Sequence, residues 1–522
     1  MLDAFTPSKE EKNDLLADAA GENVYAECAE DFILPDYLPE IRKLVRVDAL
    51  PVSTGHFVGS EEVEWAGQVR YTLLYTDSEG KLASVPLHTD YSYRVAHSGT
   101  PLSIVYHECV EGLWCRPAGP RKVSIRCRIC AKPHLYTESE GQKPLSLLLP
   151  EGVTPEALPY STQRARVTSL LSDEYNEDTV FEWEGKKADT LQVMSKDAAV
   201  YIEGIRAEKG KVLCRGSLHL SLLVSDGASL FPQSRRLPFE VELSEEGVLS
   251  GDSLLAEGYV RSIECDLADS ESGAVLTVSP AYVIMAEAWR NEPLTLYTDA
   301  YAAGYSLTLS NKVKSSLCFV GAARNSFTVS GETAAHGEEG ARVPLSAKLL
   351  PGAVTLSLSG NQVVVSGECK ASVLLECREG EGAGCVEEES FLFPFRLSLT
   401  MPEALYDTDE VEFVLRPLFA SAKQEKGQLS VVGEMSLSAR ALRRESISVP
   451  EKIDAEPLSQ EQKKEIRIYY PTPKDSLWSV GKRYNMPLAA LLAANDMPKE
   501  LLTEADNTKS LDGMAWLLVR AV

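Results

Sequence analysis

The sequence predicts a mostly β protein made of three tandem β-sandwich-like modules followed by a small C-terminal β-α-α-β unit. One observation behind this prediction is a strand pattern that recurs at intervals of 149 and 151 residues. Another is a change of composition after Pro450, where a charged stretch precedes a segment with helical periodicity. A chain of 522 residues has room for three to four domains, at about 150 residues per domain.

Three glycines, Gly67, Gly216 and Gly367, each open a segment in which apolar and polar residues alternate. The segments read GQVRYTLLY, GSLHLSLLV and GECKASVLL. The residues two, four, six and eight places after the glycine are apolar in all three copies, and those one, three and five places after it are polar. Alternation with period two is typical of a half-buried strand. We therefore expect the three strands to occupy equivalent places in three similar modules.

The likeness between the copies extends beyond these strands. Each strand is followed by a Pro-apolar pair, namely Pro86-Leu87, Pro238-Phe239 and Pro394-Phe395. Self-similarity over such a long period, with short strands and turn residues between them, favours tandem β-sandwich-like modules. We divide the chain into an N-terminal segment (1–32), three modules (33–140, 141–290 and 291–450), a linker (451–465) and a C-terminal unit (466–522).

The C-terminal unit has the sequence pattern of two strands and two helices. Asp475 or Ser476 is placed to cap the first helix, and Pro487 stands in the first turn of the second, where proline is tolerated. The predicted elements are a strand at 466–470, helices at 474–484 and 487–495, and a closing strand at 513–519.

Charge and cysteine content argue against several classes of function. With 52 Lys and Arg against 77 Asp and Glu, the chain has a formal charge of −25, which disfavours nucleic acid and anionic lipid surfaces as partners. No 18 apolar residues run together, so we expect no direct membrane insertion. The N-terminal sequence has no secretory pattern and the eleven cysteines are irregularly spaced. We therefore expect a cytoplasmic protein with reduced thiols.

The cysteine and histidine residues form no complete metal-binding motif. Cys127 and Cys130 are the only CxxC pair, and residues three apart on a strand point to opposite faces. We therefore expect neither a disulfide between them nor bound zinc. The triplet 107–109 (His-Glu-Cys) lacks metal-ligand spacing, and His219 falls on the polar face of its strand, where we expect it to be solvated.

A phosphate-binding loop is imitated by residues 204–211. Five residues separate its glycines instead of four, and Val212 stands where Ser or Thr would bind magnesium, so the segment predicts a hairpin turn. No serine or histidine stands in a catalytic motif. We expect no cofactor and no catalytic activity.

The predicted C-terminal unit resembles a LysM domain. That family has a strand, a turn of the Gly-Asp-Thr-Leu kind, a helix ending in an aromatic residue, a second helix closed by Asn, and a final strand. Here residues 474–478 stand at the turn, Tyr484 ends the first helix and Asn495 closes the second. Pro473 and Lys474 replace the usual glycine before the aspartate.

The three modules resemble the SPOCS domain, the spore-coat assembly module of endospore-forming bacteria. The resemblance rests on ILPDYLPEIRKLVRVDA (33–49), on the three glycine-led strands and on PLTLYTDAYAAGYSLTL (293–309). SPOCS copies followed by one LysM domain is the order of the SipL/SpoVID type of spore-envelope morphogenetic proteins. The resemblance implies a non-catalytic adaptor in the mother-cell cytoplasm that helps the coat encase the forespore. It also implies that the LysM domain contacts a SpoIVA-type coat ATPase, alongside other coat proteins.

A LysM fold brings its first turn and the end of its second helix to one edge, which locates a candidate partner-binding patch. Trp478 equally suits the unit's own core, and Trp516 is expected in that core because small domains need large side chains to bury. The alternative function is binding of peptidoglycan or a chitin-like glycan through LysM, which requires export. The predicted patch comprises Lys474, Asp475, Ser476, Leu477, Trp478, Asn495 and Asp496.

Overall fold

A computed structural model describes residues 15–18, 23–97, 101–335, 342–378, 385–458, 466–498 and 508–520. The described chain is mostly β, as predicted, with 23 strands and three short α-helices. The strands form six sheets, and every pairing between them is antiparallel.

Three of the sheets are three-stranded meanders, one for each copy of the repeated strand. The repeated glycine always lies in the central strand. The first meander consists of β3 (Lys43–Val58), β4 (Glu62–Thr76) and β5 (Leu82–Ala96). The second consists of β11 (Gln192–Glu208), β12 (Lys211–Ser225) and β13 (Leu230–Ser244). The third consists of β17 (Arg342–Ser359), β18 (Gln362–Cys377) and β19 (Val386–Thr400).

Two larger sheets supply the layers opposite the meanders, and apolar side chains fill the space between the layers. The four-stranded sheet contains β1 (Leu15–Asp18), β2 (Val24–Ile33), β6 (Pro101–Gly119) and β7 (Lys122–Ser139), and a short helix α1 (Leu145–Leu148) follows it. The eight-stranded sheet contains β8 (Pro155–Leu171), β9 (Tyr175–Asn176), β10 (Thr179–Glu184), β14 (Ser253–Asp269), β15 (Gly273–Ala302), β16 (Tyr305–Ala334), β20 (Glu410–Glu425) and β21 (Gln428–Pro457).

The three central strands share one register, which confirms the expected equivalence. Each repeated glycine lies opposite an aromatic residue of the next strand: Tyr91, Phe239 or Phe395. A Cβ on Gly67 would stand 2.4 Å from the ring of Tyr91, so the close approach requires glycine. All twelve apolar repeat positions are buried: Val69, Tyr71, Leu73, Tyr75, Leu218, Leu220, Leu222, Val224, Cys369, Ala371, Val373 and Leu375.

The Pro-apolar pairs are equivalent in only two of the copies. Pro238-Phe239 and Pro394-Phe395 lie opposite the repeated glycine and the residue after it. In the first meander that place belongs to Asp90-Tyr91, and Pro86-Leu87 lies four residues out of register. The copies therefore share an aromatic residue opposite the glycine rather than a proline.

The three meanders meet in one apolar cluster, which we call the hub. The meanders touch cyclically, β5 against β11, β13 against β17 and β19 against β3, so the ring closes. A β-bulge at the same repeat position in each first strand turns one apolar residue towards the hub. The equivalent hub residues are Val45, Met194 and Leu345 at the bulges and Leu74, Leu223 and Leu374 in the central strands.

Next to the hub, three residues at equivalent repeat positions form a charge cluster. Lys348 Nζ lies 3.1 Å from Asp48 Oδ1 and 2.8 Å from Asp197 Oδ2. Burial opposes ionisation of Asp48, but Lys348 and Arg46 outweigh it and lower the pKa of that carboxyl. Each meander thus contributes one member to this cluster, as each contributes a bulge residue and a central-strand leucine to the hub.

Three predicted domain boundaries fall inside strands: the boundary at 32 lies within β2, and two others lie within the long strands β15 and β21. Both β15 and β21 have 30 residues, and their second halves pair with β8 and the first half of β16. We call this paired extension the stem. The boundary at 290 lies within β15, and residues 451–457 of the predicted linker form the end of β21. They do so because Ile453 is buried beside Leu145 and Ala300. Residues 459–465 of the linker lie outside the described residues.

The C-terminal unit has the predicted order of elements. These are β22 (Ile466–Tyr469), α2 (Leu477–Tyr484), α3 (Leu488–Ala494) and β23 (Leu517–Arg520), with β22 and β23 paired antiparallel. The closing strand begins at Leu517 rather than at 513 as predicted. A cluster of apolar side chains from both helices and both strands lies under the sheet.

Candidate functional site

Two members of the predicted patch at the first turn hold the C-terminal unit together. Asp475 Oδ2 accepts hydrogen bonds from Tyr469 Oη (2.6 Å) and Thr472 N (2.8 Å), and Arg483 Nη2 lies 3.1 Å from Oδ1. The hydrogen bond from Tyr469 is the main cause that lowers the pKa of Asp475 to about 2. Ser476 caps α2 through a reciprocal pair of hydrogen bonds with Ser479. Of the two predicted caps, the structure uses Ser476.

Among the other members of the predicted patch, Asn495 and Leu477 have structural roles and two residues are exposed. The amide of Asn495 donates to Leu491 O (2.8 Å) and Leu518 O (2.9 Å), and its oxygen accepts from Leu518 N (2.6 Å). It therefore ties α3 to β23. Lys474 and Asp496 are the exposed members of the patch, while Leu477 is buried in the unit's core.

Trp478 is covered by the end of the stem. Its side chain is 5% exposed, its ring meets Tyr301 edge to face at 5.1 Å, and its Nε1 donates to Asp299 Oδ2 at 3.2 Å. The ammonium of Lys482 lies 2.5 Å and 2.7 Å from the two oxygens of the same carboxylate. Trp478 thus packs in the unit's core and also contacts Asp299 and Tyr301. This contact is with the stem of the same chain, whereas the prediction was a contact with a partner protein.

The contact continues over the end of β15, the two-residue turn after it and the first residue of β16, a segment that we call the stem turn (299–305). Tyr301 Oη donates to Met486 O at 2.8 Å. The side chain of Asn485, at the end of α2, accepts from Gly304 N (2.7 Å) and donates to Tyr305 O (2.7 Å). We call the opposing surface of Trp478, Lys482 and Asn485 the tail face.

Trp516 lies outside the core of the C-terminal unit, so its predicted packing is wrong. It is 51% exposed because it precedes the closing strand, in which Leu517 and Val519 are the residues that point inward. Other large exposed side chains of this unit lie in β22 or directly after it, at Ile466, Ile468 and Tyr470. The outer side of this sheet is therefore the exposed apolar side of the unit.

The His-Glu-Cys triplet diverges into three environments. His107 Nδ1 lies 2.7 Å from Tyr259 Oη, and burial holds the pKa of this histidine well below its usual value. Glu108 accepts hydrogen bonds from two tyrosines of β5, and burial raises its pKa. Cys109 lies opposite Cys130. Among the described residues, no group of three or more His, Cys, Asp or Glu side chains is arranged to hold a metal ion.

The CxxC cysteines point to opposite faces of β7, as predicted. Cys127 is buried in the first module's core, and burial raises its pKa to about 12. Cys130 is half-buried on the other face, where a hydrogen bond from Cys109 lowers its pKa to about 7. All eleven cysteines are free thiols in the described structure.

His219 is half-buried, where the sequence predicted a solvated side chain. The outer face of the second meander meets β20 of the third module, and the His219 ring packs 6.3 Å from that of Phe419. Burial lowers the pKa of His219, and Ser217 beside it is also buried. The segment 204–211 forms the predicted hairpin between β11 and β12, with Gly210 at φ +78° in the turn.

A buried charge network joins the three modules and was not predicted. Arg440 of β21 pairs with Glu287 of β15 and with Glu412 of β20. His134 of β7 lies 3.0 Å from Glu412. Glu287 stands in an otherwise apolar run, VIMAEAW, and this exception was the signal that could have indicated it. The junction network comprises His134, Glu257, Glu287, Arg324, Glu412, Arg416, Ser438 and Arg440.

Comparison with known proteins identifies no relative. No family model, no curated protein and no solved structure matches the chain. Within the described residues, none of the helices is long and apolar enough to cross a membrane.

Proposed function

We propose that the chain is a non-catalytic structural adaptor of spore-coat morphogenesis. Three SPOCS-like modules form its scaffold, and a LysM-like unit docks a SpoIVA-type coat ATPase. The observation that carries the proposal is the architecture: three copies of one meander close around the hub, and a β-α-α-β unit follows them at the end of the stem. This adaptor would work in the mother-cell cytoplasm and assemble with other coat proteins at the forespore surface.

The way in which the modules are joined supports a scaffold role. The hub and the junction network each connect all three modules, so the modules form one body rather than separate units. The C-terminal unit is held at one end of that body by the stem turn. With a formal charge of −25, such a body would reach a coated surface through protein contacts.

A sedimentation experiment with the full chain tests the proposal. The full chain and a chain that ends at Leu458 are each mixed with the coat ATPase and, separately, with insoluble peptidoglycan. We expect the full chain to bind the ATPase, the shortened chain to lose that binding, and neither to sediment with peptidoglycan. Equal binding of both chains to the ATPase would exclude the C-terminal unit as the docking element.

The alternative function, peptidoglycan binding, is favoured by one observation. Trp516 and Tyr470 are both exposed at the sheet of the C-terminal unit, and exposed aromatic rings can stack on sugars. If this alternative holds, the full chain sediments with peptidoglycan and Trp516→Ala releases it. Because Trp516 lies outside the core, the variant should fold normally, which circular dichroism can verify.

A further inference from the structure

We propose that the tail face is a recognition surface for a strand end of a protein partner that carries a carboxylate and, two residues later, an aromatic ring, just before a tight turn. The stem turn of this chain fills the surface and represents its closed state. This inference rests on the proposed function, because it states what the LysM-like unit recognises and how that recognition is controlled.

The polar groups of Trp478, Lys482 and Asn485 each have a hydrogen-bonding partner in the stem turn. The carboxylate of Asp299 receives the indole N–H of Trp478 and the ammonium of Lys482, and such charge-assisted hydrogen bonds are the stronger ones. The amide of Asn485 satisfies both a backbone N–H and a backbone C=O of the stem turn. This pattern of directional partners at the edge of an aromatic contact is typical of a recognition site.

The tail face is also shaped for an aromatic ring. Gly481 lies within α2, although glycine is disfavoured in the interior of a helix. A Cβ at this position would stand 2.6 Å from the hydroxyl oxygen of Tyr301. The glycine therefore leaves room for the ring that inserts between α2 and the residues after it.

The hydrogen-bonding partners of the tail face come from one short segment, residues 299–305, while Glu156 and Leu158 of β8 contact the unit beside it. A segment with the same chemistry on another protein would satisfy the same groups. Because the stem turn belongs to the same chain, it competes at an effective concentration on the order of millimolar. A partner must therefore displace it, and the intact chain should bind such a segment more weakly than a chain whose stem turn is altered.

The test uses a head-to-tail cyclic peptide of residues 297–307, labelled with a fluorophore, and the full chain. Cyclisation is needed because, among the described residues, Ala302 and Tyr305 are the one pair that joins β15 and β16, so a linear peptide would not keep this shape. The vacated variant is Asp299→Ala with Tyr301→Ala, and Asp299→Asn serves as a milder, nearly isosteric version. We expect the vacated variant to bind the peptide at least tenfold more tightly than the wild-type chain, and Asp299→Asn to lie between them. Thermal unfolding of each variant checks that the C-terminal unit remains folded.

Specificity is tested by adding Lys482→Gln to the vacated variant, because Lys482 is partly exposed and contacts the stem turn through its ammonium. This third change should lower peptide affinity again by at least several-fold. The proposal is overturned if the vacated variant binds no more tightly than wild type, or if Lys482→Gln leaves its affinity unchanged. Neither the coat ATPase nor peptidoglycan enters this test, so its failure is separate from a failure of the proposed function.

Discussion

The module cores and the junction between modules bury side chains of opposite character. In the cores, the same repeat positions carry apolar residues in all three copies, and their burial excludes water from each sandwich. In the junction network the buried groups are charged and come from single copies, such as Arg440 in the third module and Glu287 in the second. The repeated apolar positions therefore form the module cores, whereas the charged residues of the junction are specific to one copy.

The hub is intermediate between these two regions. It joins different modules, as the junction network does, but it consists of apolar residues at equivalent positions, as the cores do. The three meanders thus meet through apolar residues at positions that all three copies share. The sheets opposite them meet through charged residues that single copies carry. An ion pair between unlike copies can match only one arrangement of the modules, as in other cases where buried polar groups specify register.

The largest effect should follow from breaking the junction network. Arg440→Met removes the charged partner of Glu287, and the two side chains are only 2% and 4% exposed. Leaving a buried carboxylate without its partner should cost about 3–5 kcal/mol. The measurement is the shift of the first transition in urea unfolding, since a chain of several modules need not unfold in a single step.

The matched control for Arg440→Met is Arg444→Met, four residues further along β21 and on the same face of the strand. Arg444 pairs with Glu410, but both side chains are about two-fifths exposed, at 41% and 45%. Exposed pairs contribute less than about 1 kcal/mol. Equal destabilisation by the two variants would contradict the view that burial of charge is what makes the junction costly to break.

A second comparison uses two adjacent leucines of β12. Leu222 is 3% exposed and faces the second module's core, whereas Leu223 is 1% exposed and faces the hub. Either change to alanine should cost about 2–5 kcal/mol through the cavity that it leaves. Amide hydrogen exchange should distinguish the two variants. Leu222→Ala should speed exchange in β11 to β15, and Leu223→Ala should also speed exchange in β4 and β18. Identical exchange patterns would show that the hub does not couple the modules.

Much of the module fold could be predicted from sequence because alternation of period two reports burial on one face of a strand. The hub was also visible, since the residue seven places after the glycine is leucine in all three copies, where strict alternation predicts a polar one. The alternation stops there because each central strand is buried on both faces at its end, one face against the module core and the other against the hub.

The site was harder to predict because its partner lies far away in sequence. Trp478 and Asp299 are 179 residues apart, and neither short segment indicates the other. The prediction of a solvated His219 missed its ring contact with Phe419 for the same reason, since Phe419 belongs to the next module. Contacts within a repeat leave a pattern in the sequence, whereas contacts between unlike segments leave none in a single chain.

The smallest effect is chemical and compares the two faces of β7 through one residue type. The hydrogen bond from Cys109 lowers the pKa of Cys130 and so increases its thiolate fraction at pH 7, whereas burial raises the pKa of Cys127 to about 12. Iodoacetamide at pH 7 should therefore label Cys130 well before Cys127, as measured by peptide mass spectrometry.

Cys109→Ala removes the hydrogen bond that lowers the pKa, so labelling of Cys130 should slow several-fold at pH 7 and recover above pH 9. The control is Cys115→Ala on the same strand as Cys109, which should leave the rate at Cys130 unchanged. If Cys109→Ala and Cys115→Ala have the same effect, the cross-strand thiol pair does not set the reactivity of Cys130.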